Sequence, residues 1–549
     1  MKLTKNQTDI TSIIASASLG TLIQWYDFYL SFILAPIMGA KFFPAETLTS
    51  AWLSTLATVG AGFVVRPFGA LFFGRLGDLI GRKYTFLVTL VLMGSSTFVI
   101  GAIPTYESIG WLSSLMILIL RLLQGLAVGG EYGGAVVYVA EYSHIRQRGF
   151  TTSWIQATAS LGFFLSLLVI LTIKRSMTDL QFNDWGWRLP FLLSILLVGI
   201  SFFIRLKMEE SPLFRRLSVK EDTSQNPLEE TLRDPTNFRL ILMSLFAVVM
   251  GSGVVVYTII YAYQFLLRAC RVDSTQTDNW ICIAFLLGSI FFIFFGWLSD
   301  KIGRKPVLLT GMGLAILFTK PIFKEFYKMA NPQKSELLGE KPNLSISLLK
   351  KQVKKDTLGV QLPAYPIYVI DTINKTSLVF YTVDTVKVFS KTALYKDSTI
   401  VTSFKKETFF ADSTTRPKNY KPVLNKTVLL GRSSLFYLFG YLSILGVFGA
   451  MVSGPLGAFL VDLYPTKIRC TSLSFPYHVG NGVFGGLIPL FATILYEYSK
   501  TKENPLGDPF AGLDYPMMVA FISLLIGTFF MPRNSKEREN IGGNREYQF

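Results

Sequence analysis

The chain has 549 residues, of which 50% are hydrophobic, 14% aromatic and only 16% charged, where soluble domains carry about a quarter. That composition excludes an ordinary soluble enzyme and calls for a lipid solvent. The formal charge of +17 reads as basic loops on one side of a membrane, so nucleic acid is not an expected partner. Three cysteines, Cys270, Cys282 and Cys470, are too scattered for a disulfide framework or a metal site, and no metal is expected.

A spanning helix needs about 20 largely apolar residues, because each backbone amide in hydrocarbon must be satisfied within its own segment. Such runs predict helices at 13–38, 51–73, 86–103, 114–142, 153–173 and 187–204, and again at 240–267, 281–298, 307–323, 434–460, 472–495 and 516–531. The expected architecture is an all-α membrane protein with twelve transmembrane helices in two pseudo-symmetric six-helix bundles. Residues 1–205 make the N-terminal bundle, 206–238 a cytoplasmic linker, 239–324 helices seven to nine, 433–532 helices ten to twelve and 533–549 a cytoplasmic tail. The ninth run is clean only over 307–318, and Lys320 must snorkel to an interface if that helix spans. The first segment is too long, and lacks the small-residue cleavage site, for a removable signal peptide. Basic loops around Arg82 and Lys83, Arg146 and Arg148, Arg215 and Arg216, and Arg304 and Lys305 fall on one face, which should be cytoplasmic together with both termini.

Residues 325–432 change character. Alternating stretches at 367–370, 377–383 and 386–390 read as short strands between polar turns, so an extracytoplasmic β-rich insertion is expected between helices nine and ten. A decorative domain is one reading of it; a lid, a capture module or a partner-binding surface is another.

The strongest signal is internal. GRLGDLIGRK at 74–83 returns as GWLSDKIGRK at 296–305, identical at seven of ten positions, each copy following the second helix of a six-helix half. Duplication is the natural reading. Gly74, Gly81, Gly296 and Gly303 let helix ends approach closely, while Asp78 and Asp300 can accept from Arg82 and Arg304 or cap a neighbouring helix. These residues are expected to gate, latching one end of the bundle rather than touching solute.

The repeated loops resemble the signature of the major facilitator superfamily. Further motifs resemble its metabolite:proton symporter family: Gly20 to Tyr29 around Gln24, Trp25, Tyr26 and Asp27; Arg66-Pro67-Phe68-Gly69; Arg121 to Glu131; Gly186 to Phe191; Glu210-Ser211-Pro212; and Pro465 to Arg469 with Gly485-Gly486. The family includes carriers of proline and betaine, shikimate, 2-oxoglutarate and citrate. Gln24 stands where that family usually has glutamate, Asp462 where it often does, and the long insertion replaces a short loop. The resemblance implies secondary active transport, with uptake of a small polar metabolite by proton-coupled symport in a bacterial inner membrane. It implies a monomer in membrane lipid, with a small-molecule substrate and no cofactor beyond the coupling proton.

Charges inside a membrane cost a few kcal/mol unless paired or wet. Asp27, Arg66, Arg121 and Glu131 lie within predicted helices of the first half, whereas the second half offers Tyr257, Tyr261, Gln264, His478 and Asn481. Asp27 with Arg121 is the expected proton site, by analogy with related sugar symporters; a permanent structural ion pair is the alternative. Glu131 reads either as a second proton acceptor or cavity wall, or as a buried partner for an arginine. Arg66, just before Pro67, can meet a carboxylate bidentately or brace a kink beside Glu131. Candidate substrate contacts are Gln24, Tyr26, Arg66, Gln124, Gln156, Tyr257, Tyr261, Gln264, His478 and Asn481, with packing as the competing reading for each aromatic and for the lone histidine. The fifth predicted helix has only Gly162 and no proline, unlike the antiporter motif of the superfamily's exporters, which disfavours export. An exporter or uncoupled facilitator, and a nontransporting sensor on a transporter scaffold, remain as alternatives. Enzymatic catalysis has no support: no nucleophile constellation is present, and Gly129-Gly130 lies within a predicted helix rather than in a phosphate-binding loop.

Overall fold

Helices dominate because the long apolar runs can satisfy their backbone only internally. In the computed structural model, the described residues are 10–43, 48–219, 224–332, 337–345, 367–370, 377–380, 388–395, 397–405, 423–500 and 507–532. The expected tail at 533–549 and parts of two expected strands, 381–383 and 386–387, lie outside them.

Among the described residues, twelve long helical segments follow in chain order: α1 (Ile10–Ile33), α2 (Leu48–Leu79), α3 (Arg82–Ala102), α4 (Trp111–Tyr142), α5 (Arg148–Ser176), α6 (Gly186–Leu206), α7 (Pro235–Arg268), α8 (Ser274–Ile302), α9 (Arg304–Ala330), α10 (Arg432–Leu463), α11 (Thr466–Tyr498) and α12 (Ala511–Phe530). Among the described residues, eleven of these, α2 to α12, are long and apolar enough to cross a membrane. The exception, α1, has 24 residues but dilutes its apolar run with Ser, Thr, Gln24 and Asp27.

The boundaries differ from the predicted ones for local reasons. The first run breaks at Leu34 and resumes as a short helix, Ala35–Phe42, with a proline in its first turn. The sixth enters through a 3₁₀ turn, Gly186–Arg188, where Arg188 donates to the carbonyls of Gly101 and Ile103 at 2.8 and 2.6 Å. Its helix then continues past the predicted end and takes Arg205 inside. The ninth is longer than its clean apolar run: it spans 27 residues through Pro321, and Lys320 pairs with Asp514 at 3.0 Å. Among the described residues, two helices contain π-type turns, Leu245–Val249 in α7 and His478–Gly485 in α11, the latter beginning two residues after Pro476. Such turns recur at functional sites because they re-aim side chains.

Two units emerge. The first comprises 1–265, 278–324 and 438–549 and holds both helical halves. Its core in the first half is apolar: Leu30, Met38, Phe42, Ile100, Trp187 and Phe191 are nearly sealed. Large apolar side chains also point outward, including Phe68, Phe72, Trp111, Phe203 and Phe529, the surface expected of a protein whose solvent is lipid. Helices α2 and α4 meet backbone to backbone. A Cβ at Gly125 would collide with the Gly62 carbonyl, and one at Gly129 would stand 2.5 Å from the Ala70 nitrogen.

The second unit is built from 266–277 and 325–437. Its strands are β1 (Leu337–Ser345), β2 (Ile367–Ile370), β3 (Ser377–Phe380), β4 (Val388–Tyr395), β5 (Ser398–Lys405) and β6 (Val423–Leu430). An antiparallel sheet runs β1-β4-β5-β6, with Ile400 opposite Val428, and β2 pairs with β3. The segment before α8 lies along β6: Val428 N donates to Arg271 O at 2.8 Å and Asp273 N to Val428 O at 2.9 Å. Gln276 closes the edge, giving to Leu430 O and accepting from Leu430 N at 3.0 and 2.8 Å. Burial pushes the Cys270 thiol up, so it is a poor nucleophile at neutral pH.

Overpacking a tight helix contact costs about 1–3 kcal/mol. Gly125→Leu is therefore expected to lower the melting temperature of the detergent-purified protein by several degrees, while Gly313→Ala, which has open space around it, leaves it unchanged; a melting scan of the two variants checks this.

Candidate functional site

The repeated loops place two charged clusters at one end of the bundle. In the first, Asp78 at the end of α2 reaches across to the other half and accepts from the backbone N–H of Cys470 and Thr471 at 3.1 and 2.9 Å, and from the Thr471 hydroxyl at 2.8 Å. In the second, Asp300 near the end of α8 accepts from the N–H of Gly149 and Phe150 at 2.9 and 2.8 Å. Each carboxylate thus caps the start of a helix in the opposite half, α11 or α5, where unpaired N–H groups and the helix dipole favour an anion.

The arginines complete the pattern. Arg82 lies 3.5 Å from Asp78 and 3.4 Å from Glu141, which also meets Arg469 at 3.4 Å. Arg304 lies 2.6 Å from Asp300 and 3.5 Å from Asp462, which meets Arg148 at 2.9 Å. Each quartet has two acids and two arginines, so each is neutral. Gly81 and Gly303 take φ of 107° and 98°, conformations that favour glycine, where the chain turns from one helix into the next. Gly74 and Gly296 allow the approach: a Cβ at Gly74 would lie 2.9 Å from Thr471 Cα, and one at Gly296 would lie 2.5 Å from Gly149 O. Glu210, from the segment after α6, caps the start of α3 by accepting from Arg82 N and Lys83 N, both at 3.1 Å.

Deeper in the first half, Asp27 and Arg121 meet at 3.4 Å between α1 and α4. Arg121 also donates to Gln124 at 2.6 Å and to the Ser31 hydroxyl, and Gln124 passes the network to Thr97 at 2.9 Å. Among the described residues, Asp27 Oδ1 has no hydrogen-bond partner. Glu131 is elsewhere: it pairs with Arg205 of α6 and accepts from Thr89 at 2.9 Å, while Arg205 also donates to Phe86 O at 3.0 Å. Glu131 is thus buried against an arginine, Arg205 rather than Arg66.

A pocket between the halves is lined by Trp25, Tyr29, Gln156, Ser160, Ser453 and Asn481 among apolar residues such as Phe285 and Phe292. Of the ten predicted substrate contacts, Gln156 and Asn481 line it. Tyr26 does not: its hydroxyl donates to Pro190 O at 2.7 Å and its ring belongs to the packed core, so it ties α1 to α6. Gln124 belongs to the Asp27 network, and Tyr261 stacks on Phe323 with centroids 5.9 Å apart. Gln24 and Gln264 are buried, each with a carbonyl oxygen lacking a partner among the described residues. Tyr257 packs edge-on against Phe63 and faces Trp25 at 6.2 Å, and the Arg66 guanidinium lies 3.7 Å over the Phe63 ring. His478 is 1% exposed beside the Gly129 backbone, and neither ring nitrogen makes a well-formed hydrogen bond among the described residues.

Sequence reasoning missed Arg205, Glu141, Arg148 and Arg469 as partners. A signal existed for three of them: Glu141 precedes Arg148 by seven residues, and Asp462 precedes Arg469 by seven. It is a second internal repeat, phased with the first.

A family model described as "Sugar (and other) transporter" matches residues 13–238. The proline/betaine transporter of Escherichia coli (strain K12) is 35% identical over 317 residues, 56% of this chain and 63% of that protein. The alpha-ketoglutarate permease of the same strain is 32% identical over 319 residues, covering 58% and 72%, and its shikimate transporter is 33% identical over 312 residues, covering 55% and 70%. The chain therefore spans just under two thirds of the length of the proline/betaine transporter. Among solved structures, the major facilitator superfamily proton:xylose symporter XylE bound to 6-bromo-6-deoxy-D-glucose aligns with a TM-score of 0.61 at 14% identity, over 98% of this chain and 100% of that one. Partially occluded inward-open XylE from E. coli gives 0.55 at 17% identity, over 96% and 98%. At these identities the likeness is one of fold.

Cys470 lies 2% exposed within the first cluster and reports on it directly. With Cys270 and Cys282 replaced by serine, Asp78→Asn is expected to accelerate maleimide labelling of Cys470 about tenfold, the effect of ~1.4 kcal/mol. Arg75→Gln, an exposed change in the same loop, should leave the labelling rate unaltered.

Proposed function

Since the chain belongs to the major facilitator superfamily, a family of transporters rather than enzymes, we propose that it is a secondary active transporter that imports a small polar metabolite together with protons. The observation that carries this reading is the pair of neutral clusters, each joining the two halves at the same end. Buried charges that pair across a seam can be exchanged for water when the seam opens, which suits alternating access around a central site.

In this reading α1 is the twelfth span, and the arginine-rich loops are cytoplasmic. The state described is then closed to the cytoplasm, with the strand-rich segment between α9 and α10 outside. Asp27 is the proton acceptor and Arg121 its partner: protonation removes the attraction across 3.4 Å and weakens the tie between α1 and α4, while the bonds from Arg121 to Gln124 and Ser31 remain. Glu131 with Arg205 acts as a strut between α4 and α6. The solute occupies the cavity beside Gln156 and Asn481, where Trp25 and Tyr29 supply an aromatic wall.

Proteoliposomes with an imposed pH gradient, offered proline, glycine betaine, 2-oxoglutarate and shikimate, test the reading. At least one solute is expected to accumulate, and a protonophore to abolish accumulation. Asp27→Asn should reduce gradient-driven accumulation by about 5- to 150-fold, the usual span of a coupling free energy, while downhill exchange persists. Full gradient dependence in that variant would remove Asp27 from the mechanism; no movement of any solute would remove the transport reading itself.

A further inference from the structure

Within the strand-rich unit, strand β6 meets the ends of four helices. It runs into α10, which begins at Arg432; there Gly431 N donates to Asp397 O at 2.8 Å and the Ser433 hydroxyl to the Asp397 carboxylate at 2.6 Å. It pairs with the turn between α7 and α8, Val272 lying opposite Val428 as a parallel bridge. Gln276, in the first turn of α8, exchanges two hydrogen bonds with the backbone of Leu430. At the end of α9, Asn331 accepts from Lys426 of β6 at 2.9 Å and donates back to Tyr327 O at 3.0 Å. Val272, Val428 and Leu430 are buried in this junction.

The turn is built for this pairing. Arg271 has a φ of 55° and is the one non-glycine with left-handed backbone among the described residues. A helix end usually gives that position to glycine, and another residue holds it only where its surroundings over-determine it. Here Val272 N returns to Leu266 O at 2.9 Å to close α7, and the Arg271 carbonyl is left facing Val428 N at 2.8 Å. A domain that merely interrupts a loop needs two attachments, here the end of α9 and the start of α10. This one takes a third, on a turn far away in sequence. The helices so joined matter for the pocket, because α7, α8 and α10 each line it, through Ile260, Phe285 and Leu442 among others. Packed helices can slide past one another by small shear steps; a strand bonded to the end of each removes that freedom at one end.

We infer that β6 is a clamp: it holds α7, α8, α9 and α10 at one end so that they move as a single body, and the insertion is thereby a positioning element for the pocket rather than a decoration or a lid. The clamp stays made while the latches at the seam break and re-form. Gln276 is its central side chain, since it alone satisfies both backbone groups of Leu430 from α8, and its loss leaves a buried N–H and carbonyl without those partners. The consequence for uptake rests on the transport reading; the clamp itself does not.

The test uses the full-length protein in two arms. In the first, hydrogen exchange at the amides of Asp273, Val428 and Leu430 is expected to be equally slow with the latches intact and with both broken by Asp78→Asn and Asp300→Asn; exchange that quickens about tenfold or more in the second protein overturns the clamp. In the second arm, Gln276→Ala is expected to lower the rate of solute uptake into proteoliposomes about tenfold, the effect of one or two lost hydrogen bonds. Val272→Cys with Val428→Cys, in a background where Cys270, Cys282 and Cys470 are alanine, then closes the clamp covalently as a disulfide or through a short bifunctional reagent. That link should leave uptake by the carrier with Gln276 unchanged and restore it to Gln276→Ala, a rescue that general destabilisation would not give. A link that stops uptake, a Gln276→Ala carrier that transports at the unaltered rate, or a loss that the link does not restore overturns the inference. If Gln276→Ala does not fold, the exchange arm and the link in the carrier with Gln276 decide. If the unaltered protein moves no solute, the transport reading fails and the exchange arm alone decides the clamp.

Discussion

The structure depends on one interaction made twice: an aspartate from a repeated loop caps the first turn of a helix in the opposite half. Asp78 holds the N–H groups of Cys470 and Thr471, and Asp300 those of Gly149 and Phe150. The arginine four residues later in each loop pairs with its own aspartate and with a second acid at the end of α4 or α10. Burying paired charges gives little net stability, since desolvation offsets attraction, whereas removing one member leaves an uncompensated charge at a cost of about 3–5 kcal/mol. Intact clusters can therefore open into water at modest cost while damaged ones cannot stay closed, which is the behaviour a reversible seam requires.

The helical scaffold sets the distances that make this possible. Glycine lets α4 lie against the α2 backbone, so Arg121 on α4 can reach Asp27 on α1 while Glu131, nearly three turns further along, is aimed at Arg205 on α6. The two interior ion pairs consequently have different settings. Glu131 and Arg205 are bound on several sides, by Thr89 and the Phe86 carbonyl as well as by each other, which suits a strut. Asp27 has Arg121 as its ion-pair partner at 3.4 Å, in a network that runs on through Gln124 and Thr97, which suits a group that changes state.

Much of this was legible in the sequence. The long helices follow from apolar runs, and the latch loops from seven identities in ten residues. Asp27 and Arg121 stood out because charges within predicted spans are rare. What stayed hidden depended on direction rather than identity. Arg205 fell one residue past the predicted end of its helix and so was not counted as interior. Arg148 reads as an ordinary basic loop residue and Arg469 as the end of a family motif, and only the fold brings them to Asp462 and Glu141. Tyr26 had the chemistry of a ligand contact, but its hydroxyl is taken by the Pro190 carbonyl. The π-type turn through His478 to Gly485 has no periodicity signal, and it decides which residues of α11 meet the cavity.

The most direct measurement of the central claim is the distance across the latched end. Spin labels at Arg146→Cys, before α5, and Lys301→Cys, near the end of α8, both exposed positions on opposite halves, can be read by pulsed dipolar spectroscopy in a background without native cysteines. The account expects one short distance in the unaltered latches and a second, longer population when Asp78→Asn and Asp300→Asn are combined. A single unchanged distance in both proteins would contradict it.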